Sequence, residues 1–311
     1  MLMFISQLKD KLLAYDKYAI HRVNGLKALF VLQLLFLFNF IYTVNNPYFY
    51  YFYVPLTAFT AEVVGTTLEE KFLFLFITIT GCALSIFLFG VFSVYKTFFT
   101  LFVFFYTALL YYLVIHKLKK MLPLVPLILS LAVYSLIYVN ADSNFYVALN
   151  NTLHTLVAML LMLVGLYMFP KTYYLSIWRR AFCDVVTNLE IQTEQICREE
   201  ISNVPIFGGI IIMERHCKML SRKMKYYSIL KITLLAFELI MSISYLVSFQ
   251  KKIKIQYIRL FHHYLVIVRD AAKRKEPVFI TEKELPLFNE THELKILHQL
   301  ILSWNYVCAD L

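Results

Sequence analysis

The sequence predicts an all-α protein: a polytopic membrane protein with six transmembrane helices followed by a cytosolic helical bundle. Of its 311 residues, 60% are hydrophobic, and the mean hydropathy is +0.65. Only 16% are charged, against roughly 25% in soluble domains. Apolar stretches of membrane length precede Pro170, whereas ionisable residues concentrate after it. These observations exclude a wholly soluble protein.

Three parts follow in order along the chain. Residues 1–22 alternate apolar and charged side chains at helical spacing, which predicts an amphipathic helix that lies on the inner membrane surface or docks on the cytosolic domain. Residues 23–170 form the predicted six-helix transmembrane domain, and residues 171–311 form the predicted cytosolic α-helical domain. The spans are expected at about 26–44, from the aromatic cluster 48–53 to about 65, and at 72–92, 98–115, 122–139 and 146–169.

The connections between spans are predicted to be short. Thr67–Lys71 is expected to be a turn and His116–Lys120 a basic loop, while the aromatic cluster 48–53 is expected at headgroup depth. After the sixth span, the pattern changes from apolar spans to amphipathic helices with polar faces. One long helical region is predicted from Ile210 to about Lys275. Within it, Ile232–Phe249 is apolar enough to resemble a seventh span. Because Glu238 and three serines interrupt it, we interpret it as the core helix of the cytosolic bundle.

Basic residues predict the orientation in the membrane. They lie before the first span, after the fourth and after the sixth: Lys17, Arg22, Lys27, Lys117, Lys119, Lys120, Lys171, Arg179 and Arg180. The positive-inside rule therefore places both termini in the cytosol. The net charge of +10 is attributed to this orientation and to contact with membrane lipids, with no nucleic-acid partner expected.

The hairpin from Pro55 to Gly90 carries the most specific motifs, which are Pro55-Leu-Thr57, Gly65-Thr-Thr-Leu68 and Ile77-Thr-Ile-Thr-Gly81. With six spans and a helical C-terminal part, they resemble the fusaric acid resistance family, which includes the aromatic acid exporters. The resemblance implies proton-coupled efflux of aromatic or other amphipathic organic acids. The chain has one six-span half, so the resemblance also implies a homodimer, and a periplasmic adaptor protein is a possible further partner. An organic-anion channel-like pore and a non-transporting structural or stress-response protein remain alternatives.

Eight residues are candidates for the substrate pathway or for proton coupling: Glu62, Thr57, Thr78, Gly81, Ser85, Lys71, Asn39 and His154. Glu62 lies inside an apolar run, where a carboxylate can titrate, although it could equally reach the inner headgroups. Thr78, Gly81 and Ser85 share one helix face, which suits close packing at least as well as a substrate path. Asn39 and His154 are polar residues within spans, and packing is the alternative to a relay role for each.

The sequence predicts no enzyme. It contains no phosphate-binding loop, nucleophile elbow or dinucleotide fingerprint, and its five cysteines match no metal-binding or redox spacing. We therefore expect no catalytic residues, no metal, no cofactor and free thiols.

Overall fold

The computed structural model describes residues 14–44, 46–65, 68–138, 145–170, 172–198, 207–220, 226–248 and 255–308. Most of the predicted N-terminal amphipathic helix and the last residue of Ile232–Phe249 lie outside these residues. The described residues are helical and contain no strand. They form two compact units, one of residues 21–170 and one of the remaining residues.

The first unit contains six α-helices: α1 (Ile20–Ile41), α2 (Val54–Val64), α3 (Leu68–Phe92), α4 (Lys96–Lys117), α5 (Val125–Tyr138) and α6 (Phe145–Met168). A π-helix, Phe49–Tyr53, leads directly into α2, and a 3₁₀-helix, Lys119–Leu124, leads into α5. The π-helix ends where Pro55, with no N–H to donate, enters the first turn of α2.

Six described helices are long and apolar enough to cross a membrane. Five lie in the first unit: α1, α3, α4, α6 and the segment that combines the 3₁₀-helix with α5. The sixth is α9 (Tyr226–Ser248) of the second unit. The second predicted span is instead an 11-residue α-helix extended by the π-helix.

Two local predictions are wrong. The segment 67–71 is not a turn throughout, since α3 already begins at Leu68, and acidic residues Glu69 and Glu70 occupy its first turn. Negative charge is favourable there because it faces the positive end of the helix dipole. The cluster 48–53 is not wholly an interfacial belt, because the side chains of residues 49–51 are at most 3% exposed within the unit.

Helix α3 is the centre of the first unit and packs against α2, α4, α5 and α6. Its closest approaches use small residues. A Cβ added to Gly90 would lie 2.7 Å from the Cβ of Ala148 on α6, and one added to Gly81 would lie 3.4 Å from Ile128 on α5. By contrast, α4 turns long apolar side chains outward, including Phe104 and Phe105, which are each about two-thirds exposed. Such a surface suits a lipid environment.

The second unit contains α7 (Thr172–Cys197), α8 (Phe207–Cys217), α9 (Tyr226–Ser248), α10 (Ile255–Arg274) and α11 (His292–Cys308), with a 3₁₀-helix at Leu285–Asn289. The predicted long helix of residues 210–275 is therefore divided, since α8 ends at Cys217 and a turn follows it. Helix α9 buries one face, including Ile232, Leu239 and Ile243, in the core of this unit.

Aromatic stacking organises the same core. Phe182 lies between Trp178 and Trp304, with ring centroids 5.6 and 5.5 Å from its own. The indole N–H of Trp178 donates to the hydroxyl of Thr233 on α9 at 3.0 Å. Residues 14–20 join this unit, where Tyr18 donates to the carboxylate of Asp184 at 2.6 Å. Helices α7, α9 and α11 are thus joined by specific contacts.

Candidate functional site

An open cleft of about 480 Å³ lies where α1 and the π-helix meet α6. Most of its lining side chains are aromatic or aliphatic. The cleft is lined by Phe38, Ile41, Tyr42, Thr43, Val44, Tyr50, Tyr51, His154 and Val157. These residues come from the end of α1, the start of the π-helix and the first half of α6. They gather at the end of the unit that the basic residues predict to face outside.

A polar pair is buried beside this cleft. The hydroxyl of Tyr50 donates to the side-chain oxygen of Asn151 at 3.0 Å. The Tyr50 side chain is 2% exposed and that of Asn151 is 4% exposed, so the pair is shielded from solvent. A buried polar group that loses its hydrogen-bond partner costs free energy. This hydrogen bond therefore fixes the position of the π-helix relative to α6.

His154 brings a titratable group to the cleft. Its ring centroid lies 5.4 Å from that of Tyr50, and it follows Asn151 by one helical turn on the same face of α6. The side chain is half-buried and lines the cleft. An imidazole beside aromatic rings can donate a hydrogen bond to a ligand or accept one from it.

Asn39 lies on the last turns of α1, next to the cleft-lining residue Phe38. Its side-chain oxygen is buried and accepts no hydrogen bond from the described residues. Phe38 contacts Tyr51 edge to face, with ring centroids 6.3 Å apart. Of the predicted site residues, His154 alone lines the cleft.

The small-residue face of α3 lies in the interior of the unit. Thr78 and Ser85 are fully buried. Ser85 shares a 2.7 Å hydrogen bond with the hydroxyl of Tyr106 on α4, whereas the hydroxyl of Thr78 has no hydrogen-bond partner among the described residues. Gly81 faces Ile128 of α5. The structure thus places this face at helix contacts, and none of the three residues lines the cleft.

The remaining predicted site residues lie along α2 and at the start of α3. Thr57 donates to the backbone carbonyl of Tyr53, the last residue of the π-helix. Glu62 is in the last turns of α2, but its side chain lies outside the described part of the structure. Lys71 is 9% exposed and approaches Gly65 so closely that a Cβ at Gly65 would lie 2.9 Å from the Lys71 backbone.

Basic side chains gather at the end of the unit opposite the cleft. Lys27 is 1% exposed, and its ammonium lies 5.7 Å from the ring centre of Phe169. Lys120 forms an ion pair with Glu70 at 2.6 Å. Lys71 lies in the first turns of α3 beside Glu69 and Glu70, so acidic residues partly balance the basic ones at this end. The orientation in the membrane stays a prediction.

Sequence reasoning did not identify Tyr50 or Asn151 as site residues. The cluster 48–53 suggested an interfacial belt, and only the tertiary structure shows that Tyr50 turns inward. One signal was available, because Asn151 and His154 are one turn apart and therefore place two polar groups on one face of an apolar helix.

Within the described residues, no group of three or more His, Cys, Asp or Glu side chains could hold a metal ion. Comparisons of the chain with protein-family models, with curated proteins and with solved structures find no match.

Proposed function

We propose that this protein is a membrane transporter that exports aromatic or other amphipathic organic acids from the cytosol. The observation that carries the proposal is the cleft lined by Tyr50, Tyr51 and His154 at one end of an apolar helical unit. Its volume of about 480 Å³ is within the range of small-molecule sites. Aromatic walls suit a planar ring, and a few fixed polar groups suit an acid function.

The direction and the energy source form the second part of the proposal. In a bacterial inner membrane with both termini in the cytosol, Lys27 and Lys71 would attract an organic anion at the inner side. Glu62, on α2, would exchange a proton with the gradient. His154, at the opposite end, would take up the proton from the outer side or bind the acid there, and Glu62 would release the proton to the cytosol.

The second unit is proposed to be a cytosolic bundle, although α9 is apolar enough to cross a membrane. The packing of α9 supports this location. Its buried face contacts α7, and α7 also packs against α10. A half-buried ion pair between Glu190 of α7 and Arg269 of α10 joins these two helices. A membrane-spanning α9 would bring these charged helices into the apolar layer at high cost. A homodimer and a periplasmic adaptor complete the proposed assembly.

Everted membrane vesicles with an imposed pH gradient test the function. We expect wild-type vesicles to accumulate radiolabelled 4-hydroxybenzoate against its gradient, and His154→Phe to reduce the initial rate. Loss of one hydrogen bond, which costs about 1–3 kcal/mol, corresponds to a reduction in the initial rate of roughly five- to 150-fold.

His116→Phe is the matched control, because His116 also lies against a tyrosine, Tyr112, with centroids 4.4 Å apart, but outside the cleft. An equal loss in both variants would remove the cleft from the mechanism. Accumulation that is unchanged in Glu62→Gln would remove Glu62 from coupling. Downhill flux without accumulation would indicate a channel-like pore, and no flux at all would favour a non-transporting protein.

A further inference from the structure

A second cavity, of about 360 Å³, lies between α1 and α2. Its lining is apolar except for the phenol of Tyr51. The groove is lined by Gly25, Ala28, Leu29, Val31, Leu32, Leu35, Tyr51, Phe52, Pro55, Leu56 and Phe59. We call this cavity the α1–α2 groove. Its lining on α1 runs from Gly25 to Leu35, and a Cβ added to Gly25 would meet nothing within 4 Å.

The α1–α2 groove adjoins the aromatic cleft. Tyr51 lines both cavities. Along α1, Val31 and Leu35 line the groove, and Phe38 lines the cleft further along the same helical face. From Gly25 to Ile41 the helix rises roughly 24 Å at 1.5 Å per residue, a length that suits an extended acyl chain.

The two cavities differ in chemistry. The cleft presents the imidazole of His154 and the hydroxyl of Tyr42, whereas the groove presents hydrocarbon along nearly all its length. A ligand that fits both has a small polar head and one linear apolar tail. Neither lining contains Lys or Arg, so a phosphate headgroup would have no counter-charge. A carboxyl group, which can be protonated and can bond to His154, fits this end better.

We propose that the cleft and the α1–α2 groove form one elongated site for a single-chain carboxylic amphiphile, such as a long-chain fatty acid. Its carboxyl group lies at His154 and its tail lies along α1. The ligand enters sideways from the bilayer, between α1 and α2. The proposal rests on the cleft of the proposed function and extends its substrate class, but it requires binding alone and no transport.

Photolabelling of the full chain in lipid nanodiscs tests this site. The probe is a long-chain fatty acid with a diazirine on its tail, and labelled peptides are mapped by mass spectrometry. We expect labels on α1 and α2. The Ala28→Phe variant fills the groove, and labelling there should fall about tenfold, the change produced by a loss of roughly 1.4 kcal/mol in binding free energy.

Leu37→Phe is the matched control, because Leu37 lies on α1, is 62% exposed and lines neither cavity. Labelling should be unchanged in this variant. Equal labelling of α4, whose outward face is apolar, would show ordinary lipid contact and overturn the proposal. Stronger groove labelling by a diazirine phospholipid would also overturn it, since the occupant would then be a bilayer lipid. Absence of 4-hydroxybenzoate transport with intact groove labelling would overturn the proposed function alone.

Discussion

Tyr50 and Asn151 are 101 positions apart in the chain, yet the hydroxyl of Tyr50 lies 3.0 Å from the side-chain oxygen of Asn151. Both side chains are almost fully buried. The hydrogen bond joins the π-helix to α6 directly beside the cleft that His154 lines. It therefore connects the stability of the first unit to the shape of the candidate site.

Replacement of Tyr50 by Phe should destabilise the first unit. Asn151 would lose its donor in a buried site, which costs about 1–3 kcal/mol in the free energy of unfolding. The midpoint of thermal denaturation in detergent should fall accordingly. Tyr48→Phe is the control, since Tyr48 is 81% exposed, and its midpoint should not change. Equal midpoints for the two variants would show that the hydrogen bond contributes nothing.

Two glycines should respond oppositely to replacement by alanine. At Gly65 the new Cβ would lie 2.6 Å from the Cγ of Lys71 and 2.9 Å from its backbone, so α2 and α3 would have to separate, at a cost of about 1–3 kcal/mol. At Gly25 the Cβ would meet open space inside α1, and alanine should stabilise the helix by up to about 1 kcal/mol. Thermal denaturation of the two variants checks both signs, and a Gly65→Ala protein as stable as wild type would refute the close approach.

In the second unit, Arg269→Met should be costly. The guanidinium of Arg269 contacts both carboxylate oxygens of Glu190, at 2.8 and 2.5 Å, and the two side chains are only 21% and 17% exposed. We expect a loss of about 1.5–3 kcal/mol in denaturant unfolding. Arg198→Met breaks the exposed pair with Glu194 and should change stability by less than about 1 kcal/mol. Similar losses in the free energy of unfolding for the two variants would show that the half-buried ion pair is no stronger than the exposed one.

Acid titration should reveal a second contact of Arg269. Its Nε donates to Asp270 at 3.0 Å, and this hydrogen bond lowers the pKa of Asp270 below the usual range for a carboxyl group. The hydrogen bond stabilises the folded protein fully at pH values above the pKa of Asp270 in the unfolded chain. This stabilisation is lost as the pH falls through the lower pKa of Asp270 in the folded protein. Wild-type stability should therefore fall in acid more than that of Asp270→Asn. If the free energy of unfolding falls equally in acid for the two proteins, Asp270 does not contribute to the pH dependence.

Cysteine labelling should follow burial. Burial raises the pKa of the Cys217 thiol to about 11, so little thiolate is present near neutral pH. Cys197 is half-buried and should react with iodoacetamide first. Cys217 should react only after unfolding in guanidinium, as mass spectrometry of each peptide can show. Rapid labelling of Cys217 in the folded protein would mean that α8 opens readily.

Local composition was sufficient to predict much of the fold. Within the described residues, the all-helical class is confirmed, and five of the six predicted spans are helices long and apolar enough to cross a membrane, because an apolar run and its polar boundary are properties of neighbouring residues. The second predicted span is shorter, and the sixth such helix is α9, which the sequence predicted to be a bundle helix. Helix boundaries were less accurate. Helix α3 can begin at Leu68 because the negative charges of Glu69 and Glu70 are favourable at the positive end of the helix dipole. A hydropathy pattern does not show this electrostatic effect.

The sequence by itself determined that the chain is helical and apolar enough for a membrane, and it drew attention to His154. Only the tertiary structure decided which polar residues meet. Tyr50 and Asn151 are separated by four helices, and nothing local distinguishes Tyr50 from its aromatic neighbours. The inward turn of Tyr50 depends on the π-helix before Pro55 and on the packing of α6, which are contacts between distant segments. The cleft and the α1–α2 groove arise from the same contacts, so no pattern within a single segment could predict them.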